Sequence, residues 1–86
     1  FAKAEMLLFP NPTRGELYAD FSAWQGERLN VLILDSRGQR VQQLELTASE
    51  EPQALDLPGD LPNGLYFLEM HGPMGEKQSA KFLIQR

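Results

Sequence analysis

Short apolar stretches recur along the chain between turn-forming residues, and Pro or Gly interrupts the sequence too often to leave room for a long amphipathic helix. The first stretch, 6–9, ends at Pro10-Asn11-Pro12-Thr13-Arg14-Gly15, where two prolines fix φ and lack N–H donors and Gly15 permits a positive φ. Over 16–21, Leu17, Ala19 and Phe21 alternate with Glu16, Tyr18 and Asp20, the period of a strand with one face inward. Trp24-Gln25-Gly26-Glu27 turns the chain. Residues 28–35 contain the run Val31-Leu32-Ile33-Leu34, apolar on both faces, which predicts a central strand covered on both sides or flanking a partner.

Asp35-Ser36-Arg37-Gly38 has Asp at the first and Gly at the last position of a four-residue turn, so a hairpin follows. The return strand, 40–46, places Val41 on one parity and Leu44 and Leu46 on the other. Its inward face therefore switches midway unless a bulge absorbs one residue, and an edge strand is expected there. After a polar connection over 47–52, Leu55 and Leu57 alternate with Ala54 and Asp56 in a short strand that ends at Pro58-Gly59-Asp60. Leu61-Pro62-Asn63-Gly64 then leads into strand 65–71, whose Tyr66, Leu68 and Met70 face is expected to be buried. Gly72-Pro73-Met74-Gly75 turns into a last strand, 77–85, with Ala80, Phe82 and Ile84 on one face and Lys81, Leu83 and Gln85 on the other. About seven short strands with turns between them is the pattern of an all-β, immunoglobulin-like antiparallel β-sandwich.

The length of 86 residues allows one domain, because a chain this short buries only roughly two thirds of its unfolded surface and cannot support two cores. A formal charge of -4 and the absence of a basic stripe repel phosphate backbones, so no nucleic acid is expected as partner. Cysteine is absent, which removes disulfides, thiolate nucleophiles and zinc-ribbon sites together. No apolar run approaches the roughly 20 residues that cross a bilayer, so no membrane insertion is expected. The chain begins at Phe1 rather than at a methionine, which reads as a piece of a longer polypeptide: residues 1–5 end a linker and residues 6–86 form the domain.

Three pieces, in this order, resemble the C-terminal sorting domain of the type IX secretion system of Gram-negative bacteria. Phe9-Pro10-Asn11-Pro12-Thr13-Arg14-Gly15 is similar to that family's opening Y-P-N-P-x-x-G motif, with Phe where Tyr is commoner. Val31-Leu32-Ile33-Leu34-Asp35-Ser36-Arg37-Gly38, followed by Arg40-Val41, resembles its apolar strand and D-x-x-G turn. Leu61-Pro62-Asn63-Gly64-Leu65-Tyr66 resembles L-x-x-G-x-Y, and Lys81-Phe82-Leu83-Ile84 resembles the closing strand. The resemblance implies a passenger protein upstream in the same polypeptide and a signal peptide before it. It further implies recognition by the type IX outer-membrane translocation machinery, and removal by a surface sortase at or upstream of residues 1–5. The protein would then reach the cell surface or the extracellular space through the periplasm.

The residues expected to carry recognition are Pro10, Asn11, Pro12, Gly15, Asp35, Gly38, Leu61, Gly64, Tyr66, Lys81, Phe82 and Leu83. Backbone geometry alone accounts for Pro10, Pro12 and Gly15, and turn chemistry for Asp35 and Gly38, since a cation at Asp35 would need further oxygen ligands that the local sequence lacks. Tyr66 is placed to form a tyrosine corner, its hydroxyl bonding back to the preceding loop. His71, the one histidine, has neither a second His nor a Cys to complete a metal site or triad and is expected in a solvated turn. No catalytic group, metal or cofactor is expected. The last strand is the expected interface, because a terminal strand at a sheet edge presents unpaired backbone, with Lys81, Leu83, Gln85 and Arg86 facing outward. Paired edges leave a homodimer open. The competing reading is a fibronectin-like spacer or a carbohydrate-binding accessory module of a secreted enzyme, with Trp24 and Tyr18 as an aromatic platform.

Overall fold

The computed structural model describes residues 6–86. The expected linker and cut site at residues 1–5 lie outside the described residues. Among the described residues there are seven strands, β1 Leu7–Phe9, β2 Glu16–Asp20, β3 Arg28–Asp35, β4 Arg40–Thr47, β5 Gln53–Asp56, β6 Gly64–His71 and β7 Lys77–Ile84, and a 3-10 turn at Ser22–Trp24 between β2 and β3. They form two antiparallel sheets, β1-β2-β5 and β4-β3-β6-β7, packed as a sandwich.

The alternation read from the sequence sets the inner faces. Leu17 and Ala19 from the small sheet meet Leu29, Val31, Ile33, Leu68, Met70, Phe82 and Ile84 from the large one, all essentially without solvent contact. Such burial is the main favourable term in folding, roughly 1.5–3 kcal/mol for each large apolar side chain. Phe21 leaves β2 into the core, and Trp24, buried at the 3-10 turn, closes one end of it.

The hairpin between β3 and β4 resolves the parity conflict at Val41. The register shifts between Ile33, which pairs with Gln42, and Leu34, which pairs with Arg40, so Val41 is the bulged residue. The extra residue lets Val41, Leu44 and Leu46 all pack against the core from the edge strand β4. Beside it, Gln42 Nε2 donates to the Asp56 carbonyl at 2.6 Å and Gln53 Nε2 to the Thr47 carbonyl at 3.0 Å, so glutamine side chains bridge the seam between β4 and β5.

Of the two readings of the apolar run in β3, cover on both sides or a flanking partner, the first does not hold among the described residues. The strand is central, but it is covered on one side only: Leu29, Val31 and Ile33 are fully buried, whereas Leu32 and Leu34 on the outer face are half-buried. Two layers suffice to bury one face of each sheet, and no third layer lies over this one among the described residues.

Candidate functional site

β3 ends, β6 begins and β7 ends at the same end of the large sheet. Asp35 pairs with Tyr66, Tyr66 with Phe82, and Gly64 with Ile84. A parallel bridge from Thr13 to Ile84 adds the loop after β1 to this end. Segments far apart in the chain, 9–15, 35–38, 61–66 and 81–86, are thereby gathered into one region.

The loop acts as a short extra strand. Asn11 Nδ2 donates to the Lys81 carbonyl at 3.3 Å and its Oδ1 accepts from the Leu83 N–H at 3.0 Å, so the side-chain amide takes the place of a strand's peptide group. Thr13 continues the ladder: its N–H donates to the Leu83 carbonyl at 2.8 Å and its carbonyl accepts from the Gln85 N–H at 2.8 Å. Proline suits the alternate positions, Pro10 and Pro12, because it has no donor to strand on the far side. The Phe9–Pro10 and Asn11–Pro12 peptide bonds are both cis. The Thr13 side chain is completely buried; Oγ1 accepts from the Gly15 N–H at 3.0 Å and donates to the Glu16 carbonyl, closing the turn into β2.

This geometry corrects the expectation of an open C-terminal edge. β7 is the last strand of its sheet, but from Lys81 to Gln85 its outward backbone groups are already bonded to Asn11 and Thr13. A partner cannot add a strand there without displacing that loop.

Arg86 departs from expectation as well, since it folds back instead of pointing away from the domain. Its Nε donates to the Arg14 carbonyl at 3.1 Å and its backbone N–H to Asn63 Oδ1 at 3.0 Å, while Nη1 donates to the Leu61 carbonyl. Gly15, at φ 132°, lies so close that a Cβ there would sit 3.4 Å from Arg86 Nη2. A side chain at Gly15 would therefore meet both an unfavourable backbone conformation and the guanidinium.

On the neighbouring strand, the Tyr66 hydroxyl donates to the Pro62 carbonyl at 2.7 Å, and the ring stacks on Phe82 with centroids 5.7 Å apart. This is a tyrosine corner at the start of β6, as expected. Leu61, in the loop that leads into β6, is buried. Across a shallow depression lined by both segments, Asp35 Oδ1 accepts from the N–H groups of Arg37 and Gln39, each at 2.9 Å, and Gly38 takes a φ of 84°. The Gln39 N–H, and less strongly the Arg37 N–H and guanidinium, hold the Asp35 carboxyl below its ordinary value against an opposing effect of desolvation. The family model described as the secretion system C-terminal sorting domain matches residues 7–85. The chain belongs to that family. No curated protein and no solved structure matches it.

The sorting domain is thus a signal for type IX secretion that acts with that system's machinery, and its family is one of sorting signals rather than catalysts. Its three motifs, scattered in sequence, build one end of the sandwich and hold the last strand there. Of the twelve expected recognition residues, Phe82 is buried in the core, Lys81 is exposed and Leu83 half-buried on the outer sheet face, and the other nine lie in or beside the turns described above. No group of three or more potential metal ligands occurs among the described residues, and no helix among them is long and apolar enough to cross a membrane.

Two corrections concern single residues. His71 is the last residue of β6 rather than part of a turn, and its Nε2 lies 3.1 Å from Glu69 Oε1. Trp24 is buried, so it forms no exposed platform with Tyr18; Tyr18 instead stacks on Phe9, with centroids 5.8 Å apart, on the outer face of the small sheet. Sequence reasoning missed Thr13 and Arg86. A threonine two residues before a turn glycine signals local hydroxyl–backbone bonding and was legible in principle. The contacts of Arg86 join residues 23, 25 and 72 positions apart and leave no local signature.

Proposed function

We propose that residues 6–86 form the export domain of a longer secreted polypeptide, joined through residues 1–5 to an upstream passenger. A signal peptide brings the whole to the periplasm. The type IX translocation machinery then recognises the folded domain and passes the passenger across the outer membrane of a Gram-negative bacterium, to its surface or into the medium. A surface sortase removes the domain by a cut at or upstream of residues 1–5. The observation that supports this reading is the convergence of the three family motifs on one end, where Asn11, Thr13 and Arg86 hold the final strand in place. A passive spacer has no need to lock its last strand to its first loop.

The test is a reporter carrying an N-terminal signal peptide with this chain at its C-terminus, expressed in a type IX-competent strain and in the same strain without the translocon. The reporter should reach the surface or medium only in the first, and without the domain. Phe82→Ala, which empties a fully buried aromatic site, should cost about 3–5 kcal/mol and end export by unfolding the domain. A folded wild-type fusion retained in the periplasm of competent cells would refute the proposal and favour the spacer.

A further inference from the structure

The outer face of the large sheet carries an apolar strip that no second layer covers among the described residues. Leu34 pairs with Phe67, and next to them Leu65 pairs with Leu83; Leu32 extends the strip by one row. Leu65 is 40% exposed, and Leu32, Leu34, Phe67 and Leu83 are half-buried. The row through Leu34 and Phe67 ends in a cation on both sides, since Leu34 also pairs with Arg40 on β4 and Phe67 with Lys81 on β7. Both cations are exposed. In a domain of net charge -4, an apolar strip flanked by two cations stands out from its surroundings.

We infer that this strip is the surface by which the domain docks onto a protein of the export machinery, one that presents an apolar ridge flanked by carboxylates. The inference rests on the reading of the chain as a sorting domain. It follows from the edge that is blocked: over Lys81 to Gln85, the part of the last strand that carries the family motif, the backbone is paired to the loop after β1, so recognition of that part reads side chains rather than backbone, and Lys81 and Leu83 present theirs on this face. A second copy fits less well. Twofold pairing of this face brings its cations together, and stacking it on the outer face of another copy's small sheet, which bears Glu16, Asp20 and Asp56 beside the exposed Leu7, Phe9 and Tyr18, joins opposite faces of the sandwich head to tail and so leads to open chains rather than a closed dimer. An anionic membrane fits less well too, because Glu69 lies next to the strip and the domain as a whole is negative.

Two double variants in the reporter fusion test this: Leu65→Thr with Leu83→Thr, and Arg40→Glu with Lys81→Glu. Both should melt within a few degrees of wild type, because threonine suits a strand and the charged positions are exposed. Export should nonetheless fall by about tenfold or more, as expected when contacts at the centre of a docking surface are lost. If the threonine pair disturbs folding, the charge-reversal pair carries the test alone. Export of either folded variant at the wild-type level would overturn the inference. So would sedimentation velocity showing a self-associated chain, or cosedimentation with vesicles containing phosphatidylglycerol, where these variants abolish the association. Failure of the wild-type fusion to leave the cell would instead overturn the sorting-domain reading, and this inference with it.

Discussion

Tyr66→Phe isolates one bond of the tyrosine corner. The ring is 4% exposed and stacks on Phe82, and the substitution keeps both the burial and the stack; only the hydroxyl bond to the Pro62 carbonyl is lost. A net intramolecular hydrogen bond contributes about 0.5–1.5 kcal/mol, and a buried acceptor left without a partner costs about 1–3 kcal/mol. The bond is only part-buried, so the expected loss is about 1–2 kcal/mol, a substantial share of the roughly 5–15 kcal/mol that stabilises a domain. For a chain of this size that loss lowers the melting temperature by about 5–15 °C. Tyr18→Phe is the control, because its ring lies half-exposed on the outer face of the small sheet and its hydroxyl should matter by less than about 0.5 kcal/mol. Denaturant and thermal melts of the three proteins decide the matter. Equal stability of Tyr66→Phe and wild type, or an equal cost at Tyr18, would refute the corner as a stabilising contact.

Arg86→Ala removes the bonds to the Arg14 and Leu61 carbonyls and should cost about 1–2 kcal/mol in denaturant melts, a figure reduced for solvent exposure. Amide exchange should rise at Gly15 and across 61–66, and Arg86→Lys should restore only part of the protection because a lysine lacks the guanidinium fork. The Asp35 carboxyl titrates below its ordinary value of 3.8 in the folded chain, so its stabilising effect is complete above that pH and is lost as pH falls through the lower folded value. The Arg37 and Gln39 amides should therefore lose protection in that acid range, and an Asp35→Asn variant should show no such step; protection unchanged down to the pH of global unfolding would refute it.

The strand set was legible in the sequence because each strand buries one face, and a period of two marks that face whatever lies opposite. Leu17, Ala19 and Phe21, or Tyr66, Leu68 and Met70, declare their inward side by alternation alone. The turns were legible because Pro, Gly and Asp act on their own backbone or on residues a few positions away. Even the bulge at Val41 was foreshadowed, as the one place where parity failed. The pairing of strands into sheets was not legible, nor was anything that follows from it. The local pattern of Asn11 is that of a turn residue, and only the approach of β7 makes its amide a strand surrogate. The apolar run in β3 reads the same whether its second face meets a layer of the same protein or stands open. Arg86 looks like a solvated terminal residue until the fold brings the carbonyls of Arg14 and Leu61 within its reach. Those contacts join residues about 70 and 25 positions apart, and no periodicity in a sequence encodes a distance that only two stacked sheets create.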